Sequence, residues 1–293
     1  VIQYIYDSYN VDILLNRNQA PIAGQILVNE ARKRNIKIIS DVSEEIYDCD
    51  GAIIGSEAGL TSLLKYVLEE KKPLIKRNSN QFILQRLLNT KKNKDYLYNL
   101  LNLDRNKKII FYVSDPGEVV VTRRQRYESE LFIIKEFNKH QDYLLIIKTH
   151  PQDNGSITYN AYKKAESPKN IVLIGDTTRG VKMISNEFKI FKEFDFNKAL
   201  SGSSGVISQY STSILQAIKI GCKVGILDII NHGCFSKLIV NGDASLIKNK
   251  EGISKYLNQK KGGITQRSLK YYGMESIKNR STSEYIMEIE KMM

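Results

Sequence analysis

Two short polar segments hold the residue types in this sequence that suit chemistry, one directly after an apolar run and the other separated from one by three residues. The first is Lys148-Thr149-His150-Pro151, which follows the apolar run 144–147. The second is Ser211-Thr212-Ser213, which follows the apolar residues 206–207. Lysine and imidazolium groups neutralise phosphate oxygens, and hydroxyl groups beside the unpaired N–H groups of a helix N-terminus bind phosphate or carboxylate. Together the two segments predict a site for an anionic ligand.

Each segment also has a purely structural interpretation. Serine and threonine are preferred N-cap residues, so residues 211–213 could serve only to start a helix that ends at Gly221. The first segment could be a strand that stops at a proline, with His150 on the surface. We favour ligand binding because both segments occur in one chain, each at the end of an apolar strand.

Proline fixes where the histidine lies. Pro151 cannot donate to a sheet ladder and holds the residue before it in an extended conformation. His150 is therefore expected at the carboxyl end of the strand that contains 144–147, which is the edge where open α/β sheets bind ligands.

Apolar runs and amphipathic segments alternate along the chain in the β–α–β rhythm of a parallel sheet. The predicted strands are 12–15, 36–39, 51–54, 73–75, 108–113, 144–148, 171–174, 206–207 and 224–227. The predicted helices are 21–34, 59–70, 127–140, 250–258 and 268–293, with a further helix that follows Ser211-Thr212-Ser213 and closes at Gly221. Two of them have apolar faces, formed by Ala23, Ile26, Leu27 and Ala31 and by Leu131, Ile134 and Phe137. The chain is thus predicted to be an α/β protein with two Rossmann-like domains facing a cleft.

A Lys-x-His-Pro segment followed by a Ser/Thr-rich helix start resembles the C-terminal domain of bacterial glycosyltransferases of the GT-B type. The group includes sialyltransferases and polysialyltransferases, capsule Kdo transferases and the CDP-glycerol polymerases of teichoic acid synthesis. The resemblance covers residues 108–258. It implies contacts with the phosphate of a nucleotide donor for Lys148, His150 and Pro151 and for Ser211, Thr212 and Ser213.

The resemblance also implies an activity. We expect transfer of a sugar, with a CMP-activated acidic sugar such as sialic acid favoured, to a bacterial surface glycan or glycolipid of the capsule or lipopolysaccharide kind. Such sites need no metal and no cofactor, because protein groups hold the phosphate. His232, which follows the strand 224–227, lies in a region that is near the donor in this group.

The domain boundaries are placed from the same resemblance and from composition. A polar segment rich in Asn and Lys, 78–107, contains the junction. We predict an acceptor-side domain at 1–90, a nucleotide-donor domain at 91–265 and a helical tail at 266–293 that crosses back to the first domain. The first domain is short for a GT-B half and the chain begins at Val1, so we expect a missing N-terminal piece.

One element of the resembling families is missing. Their sialyltransferases carry an acidic-acidic-Gly element in the N-terminal domain that supplies the general base, and this sequence has only Asp115-Pro116-Gly117, in the other half. An acceptor hydroxyl needs a base as it attacks. The candidates are Asp41 and Glu44, after the strand 36–39, and Asp115 or Glu118, after the strand 108–113. Taken singly, each is better explained as part of an acidic surface turn or a capping box.

The formal net charge of +12 predicts an anionic partner, either nucleotide phosphates or an anionic membrane face. The basic residues are scattered, and clusters such as Arg123, Arg124 and Arg126 are expected on solvated faces. The sequence contains no nucleic-acid-binding motif, which argues against a nucleic-acid partner. The three cysteines form no metal or redox motif, and no apolar run is long enough to span a bilayer, so we expect a cytoplasmic protein that can contact the inner face of the membrane.

Other patterns support competing functions less well. Asp48-Cys49-Asp50 matches a metal-binding pattern but precedes a strand. Gly55-Ser56-Glu57-Ala58-Gly59 is better explained as a helix cap, formed by Ser56 or Glu57, than as an anion turn. P-loop, dinucleotide-binding and serine-hydrolase motifs do not occur. The alternatives that stay open are a CDP-glycerol-type phosphotransferase, a non-hydrolysing sugar-nucleotide epimerase and a non-catalytic binding module on the same fold.

Overall fold

The structure is a computed structural model that describes residues 6–9, 11–16, 22–42, 51–54, 74–76, 93–115, 121–259, 262–272, 274, 287 and 291. The chain divides into two compact units, one formed by Val1–Leu84 with Leu269–Met293 and the other by Gln85–Ser268. Each unit contains one parallel β-sheet. Among the described residues, no helix combines the length and apolar character that crossing a bilayer requires.

The first unit contains a sheet in which spatial order follows chain order. Its described strands are β1 (Ile13–Asn16), β2 (Lys37–Val42), β3 (Gly51–Ile54) and β4 (Leu74–Lys76). Helix α1 (Ile22–Lys33) connects β1 to β2. Val28 and Ala31 lie on its buried face, whereas Ile26, predicted to be on that face, is 44% exposed. The buried stripe of α1 is therefore rotated from the prediction.

The second unit contains a six-stranded parallel sheet with the spatial order β7-β6-β5-β8-β9-β10. The strands are β5 (Lys108–Val113), β6 (Tyr143–Lys148), β7 (Ile171–Ile174), β8 (Gly205–Ser208), β9 (Val224–Leu227) and β10 (Ser245–Ile247). Numbered along the chain within this unit, the order is 3-2-1-4-5-6, that of a dinucleotide-binding Rossmann domain. The strands β8 and β9 are buried at every residue, as expected for a sheet covered on both faces.

The helices of this part of the chain follow the strands. The described ones are α2 (Tyr96–Leu101), α3 (Arg123–Asn138), α4 (Ser156–Lys164), α5 (Phe196–Gly202), α6 (Ser213–Lys219), α7 (Ser236–Val240), α8 (Lys250–Asn258) and α9 (Gln266–Tyr271). A capping box starts α3, because the Thr122 hydroxyl accepts the Gln125 N–H and the Gln125 side chain accepts the Thr122 N–H. Helix α3 therefore begins four residues before the predicted start.

The predicted fold class is confirmed, and several element bounds agree with the prediction. The strands β3, β5, β7 and β9 and the helix α8 coincide with predicted segments. Gly221, with φ +84°, follows the end of α6 as predicted. The elements α4, α7 and β10 were missed. The helix α7 and the strand β10 have only five and three residues, and the nine-residue helix α4 begins after Gly155 without a capping side chain. The predicted helix 59–70 lies outside the described residues.

The sheet order creates a switch point between β5 and β8. These two strands are neighbours, although the chain passes through β6 and β7 between them. Connections leave the two strands in opposite directions, and ligands of open α/β sheets bind in the crevice at the carboxyl ends of such a pair. The residues that follow these strands, Asp115 after β5 and 209–213 after β8, lie at this point.

Candidate functional site

Asp115 lies at the switch point and is held from the neighbouring strand. Its side chain is buried, at 2% exposure. One carboxyl oxygen accepts a hydrogen bond from the backbone N–H of Tyr210 at 3.4 Å and lies 3.1 Å from the hydroxyl of Ser208. Both partners belong to the end of β8, so the pairing of β8 with β5 fixes the position of the carboxyl.

Burial raises the pKa of Asp115 to about 7. Desolvation disfavours the charged carboxylate, and this effect outweighs the hydrogen bonds from Tyr210 and Ser208, which favour it. A carboxyl with a pKa near neutrality exchanges protons readily at physiological pH. Asp115 thus has the protonation behaviour of a general base or acid, the role that the sequence offered as one of its alternatives.

His150 follows β6, the strand on the other side of β5, and is half-buried. The backbone N–H of Gln152 donates to its Nδ1 at 3.2 Å. Burial lowers the pKa of His150, and the positive charges of Lys148 and Arg179 lower it further. The imidazole is therefore neutral at pH 7, and since Nδ1 accepts a hydrogen bond, the proton is on Nε2. A neutral imidazole of this kind offers an N–H donor, and the predicted contact of His150 with a donor phosphate stays a prediction.

Lys148 is almost buried and is paired within the protein. Its Nζ lies 2.5 Å from a carboxyl oxygen of Asp176, in the loop after β7, and donates to the carbonyl oxygen of Thr149 at 3.2 Å. Burial raises the pKa of Asp176, but hydrogen bonds from Lys148 and Thr178 outweigh it and hold the pKa below its usual value. Lys148 therefore ties β6 to the next loop, and its contact with a ligand phosphate stays a prediction.

The hydroxyl segment before α6 is bonded mainly to itself. The Ser213 N–H donates to the Ser211 hydroxyl oxygen at 3.3 Å, and the Ser211 hydroxyl donates to that of Ser213 at 3.0 Å. Thr212 is exposed and its side chain makes no capping bond. Ser211 thus has the structural role of a cap, while the segment's predicted phosphate contact is untested. Because β6 and β8 both pair with β5, His150 and this segment follow strands that end at the same sheet edge and are roughly 10 Å apart.

His232 organises the loop after β9. Its Nε2 lies 3.0 Å from the carbonyl oxygen of Leu227, and its Nδ1 accepts the Cys234 N–H at 3.0 Å. The carboxylate of Asp228 accepts the backbone N–H groups of His232 and Gly233 at 2.6 and 3.1 Å. Both ring nitrogens are thus used within the loop, so the predicted contact with the nucleotide would require this network to open.

The other predicted acidic residues fall largely outside the described part of the chain. Asp41 lies within β2, opposite Ile53 of β3, and not in a turn after the strand as predicted. Its side chain is not described. Glu44, Glu118, the pattern 48–50 and the turn 55–59 lie outside the described residues. Within the described residues, no three His, Cys, Asp or Glu side chains meet in a cluster that could hold a metal ion.

The structure corrects the predicted exposure of Arg126. It was expected on a solvated face, but it is 1% exposed and forms ion pairs with Glu130 and Asp153. It also donates to the hydroxyl of Ser114, the residue before Asp115, at 2.8 Å. Burial lowers the pKa of Arg126, but the two carboxylates outweigh it and raise the pKa above its usual value. The missed signal was helical spacing, because residues 126 and 130 share the buried stripe of α3 with residues 133, 134 and 137.

A mainly polar pocket of about 340 Å³ lies beside this network. Arg123 and Arg126 of α3 line it together with Gln152 and Asn154 from the loop after β6. A concave polar surface therefore lies between α3 and the loop after β6.

Comparison with known proteins shows the fold. No family model and no curated protein matches the chain. Among solved structures, MnaA of S. aureus, determined with UDP, matches with a TM-score of 0.57 and 13% identity over 93% of this chain and 72% of that one.

Two further structures match over most of the chain. The UDP-GlcNAc 2-epimerase of Neisseria meningitidis, bound to UDP-GlcNAc, has a TM-score of 0.56 and 14% identity over 99% of this chain and 79% of that one. A glycosyltransferase of Rickettsia africae has a TM-score of 0.54 and 15% identity over 88% of this chain and 68% of that one. The chain shares the GT-B type of fold with these proteins, whereas the narrower resemblance to sialyltransferases stays a prediction.

Proposed function

We propose that this chain binds a nucleotide sugar at the carboxyl edge of the second sheet and transfers the sugar to an acceptor hydroxyl. The observation that carries the proposal is Asp115, a buried carboxyl with a pKa of about 7 at the switch point of a Rossmann sheet. The fold supports it, because the similar structures include enzymes solved with UDP or UDP-GlcNAc.

The proposed reaction uses the described groups in three roles. Asp115 accepts the proton of the acceptor hydroxyl as the hydroxyl oxygen attacks the anomeric carbon. The bond between that carbon and the phosphate oxygen breaks, and the phosphate keeps the electron pair. His150 donates from Nε2 to a phosphate oxygen, and Ser211 and Thr212 supply hydroxyls to the same group.

The finer assignments rest on the sequence resemblance alone. They are a CMP-activated acidic sugar as donor, a bacterial surface glycan or glycolipid as acceptor, and metal-independent chemistry. A second candidate, a non-hydrolysing sugar-nucleotide epimerase, is favoured by the likeness to UDP-GlcNAc 2-epimerases. In that case Asp115 would exchange a proton with the sugar rather than with an acceptor.

A nucleotide panel tests the donor. Thermal unfolding is measured with CMP, CDP, UDP, CMP-sialic acid and UDP-GlcNAc, and a ligand at a hundred times its Kd adds about 2.7 kcal/mol of stability. We expect a clear response to one nucleobase. No response to any of the five would overturn nucleotide-sugar binding.

Variants of His150 test the site. His150→Ala should weaken the nucleotide response, and His150→Gln should restore part of it because the glutamine amide keeps an N–H donor. His140→Ala, at the end of α3, is the matched control and should bind like the original protein. Equal nucleotide binding by all three variants would show that His150 does not belong to the binding site.

Product analysis separates the candidate reactions. A glycosyltransferase releases free nucleotide only in step with transfer to an acceptor, an epimerase converts the nucleotide sugar into its isomer without releasing nucleotide, and a binding module does neither.

Contact with an anionic membrane is proposed from the charge of +12. Sedimentation with vesicles that contain phosphatidylglycerol should exceed that with neutral phosphatidylcholine vesicles and should fall with added salt. Equal sedimentation with both kinds of vesicle would contradict it.

A further inference from the structure

Gln209, the residue directly after β8, has a buried side-chain amide that forms no hydrogen bond with any group that the structure describes. Its exposure is 0%. Neither its Oε1 nor its Nε2 has a hydrogen-bond partner in the part of the chain that the structure describes. Buried polar groups are nearly always hydrogen-bonded, because leaving one unsatisfied in the interior costs free energy. An amide with both atoms unsatisfied therefore calls for a function.

The position of Gln209 suggests that function. Its two chain neighbours, Ser208 and Tyr210, both contact the carboxyl of Asp115. In the sheet, Ile207 lies opposite Tyr112 of β5, so Gln209 is two residues further toward the carboxyl edge on the same face. The buried hydroxyl of Tyr112 on this face also has no partner among the described groups. Two of the unsatisfied side chains, those of Gln209 and Tyr112, thus belong to the two strands that form the switch point, where ligands of such sheets bind.

We propose that Gln209 is a ligand-binding residue of the nucleotide-sugar site, which makes the inference dependent on the function proposed above. A primary amide offers donors on its nitrogen and an acceptor on its oxygen. Its complement is a planar edge that presents an acceptor beside a donor. The nucleobase of a nucleotide sugar has such an edge. The N-acyl group of an amino sugar has its N–H donor and its carbonyl acceptor on opposite sides, so the Gln209 amide can form a single hydrogen bond with either of them.

Binding requires a local change, because the side chain is fully buried. The amide reaches the ligand by rotation of the Gln209 side chain toward the sheet edge or by movement of the groups that cover it. The unsatisfied amide thus lowers the stability of the protein without ligand, and the bound ligand supplies the missing hydrogen bonds.

The substitution Gln209→Met tests the inference, because methionine has nearly the same volume and no amide. We expect the variant to unfold about 2–4 °C higher without ligand. Its Kd should be about tenfold weaker or more. Gln209→Asn keeps an amide on a shorter side chain, so it should bind weakly without the gain in stability.

Calorimetric titrations with UDP and with UDP-GlcNAc identify the group that is bound. Equal weakening for both probes assigns the amide to the nucleobase. Weakening for UDP-GlcNAc alone assigns it to the N-acyl group. If the panel above selects CMP, the titrations use CMP and CMP-sialic acid, which also has an N-acyl group.

Ser129→Ala is the matched control, because Ser129 of α3 has another buried hydroxyl without a partner in the described residues. It should raise stability and leave both Kd values unchanged. If Gln209→Met binds as tightly as the original protein, a buried water satisfies the amide and the inference is overturned while the proposed function stands. A Gln209→Met variant that is less stable than the original protein also overturns it. If the original protein binds no nucleotide at all, it is the proposed function that fails.

Discussion

The hydroxyl of Ser208 lies between the carboxyl of Asp115, at 3.1 Å, and the carbonyl oxygen of Val113, at 2.7 Å. A hydroxyl carries one proton, so it can donate to only one of these acceptors at a time. When Asp115 is protonated, its own O–H can donate to Ser208, which then donates to Val113. When Asp115 is ionised, Ser208 favours it by donating to it. The hydroxyl therefore responds to the protonation state of the proposed base.

Ser208→Ala should raise the pKa of Asp115 further above its usual value, because the ionised form loses a hydrogen-bond donor. The acidic limb of the pH profile of kcat/KM should move to higher pH, with several-fold lower activity near pH 6.5. Ser203→Ala is the control, since the Ser203 hydroxyl bonds to Leu200 at the opposite end of β8. An unchanged acidic limb would mean that the pKa of a group other than Asp115 determines the pH dependence of kcat/KM.

Asp115→Asn should change how stability depends on pH. The folded pKa of about 7 lies above the unfolded value of roughly 4, so the folded state binds the extra proton between these values. The contribution of this raised pKa to the free energy of unfolding is fully present below pH 4 and is lost as the pH rises through 7. At pH 8 the asparagine variant should therefore be more stable, by on the order of 4 kcal/mol.

Urea unfolding of both proteins at pH 4.5 and pH 8 measures this difference. Parallel pH dependence of the two proteins would show that Asp115 is not a buried carboxyl with a raised pKa. The same variant should lose roughly 10²-fold or more in turnover if Asp115 is the base.

Lys148→Met should destabilise the protein by about 3–5 kcal/mol, because it leaves the nearly buried carboxylate of Asp176 without its partner. The double variant Lys148→Met/Asp176→Asn should recover part of this loss, since it removes both charges. Asp176→Asn alone keeps the lysine but removes its charged partner, so it tests whether Lys148 binds nucleotide in addition to stabilising the fold. If Lys148 also holds phosphate, this variant should bind nucleotide at least as tightly as the original protein, and weaker binding would assign Lys148 a structural role only.

Arg126→Met should also destabilise by about 3–5 kcal/mol, because Glu130 and Asp153 would remain buried without their cation. Arg124→Met provides the matched control on the same helix. Arg124 is 87% exposed, and its ion pair in the described part of the chain is with Glu128, one turn away, so its loss should be hard to detect. Chemical denaturation of the two variants side by side makes the comparison, and similar midpoints would contradict the buried network.

Local patterns in the sequence were enough to predict the fold class and most long elements. Runs such as 108–113 and 171–174 are apolar at every or nearly every position, and this is a property of the segment itself. The same holds for the two polar segments that end at Pro151 and begin at Ser211, since strand ends and helix starts depend on neighbouring residues.

Only the tertiary structure decided how these segments become a site. The pairing of β8 with β5 brings Ser208 and Tyr210 to Asp115, and burial then raises the pKa of that carboxyl. The same packing buries Arg126, pairs Lys148 with Asp176 and leaves the Gln209 amide without a partner in the described structure. Desolvation and charge pairing depend on residues far apart in the chain, so no local pattern could have fixed which of the candidate acids has the pKa of a base.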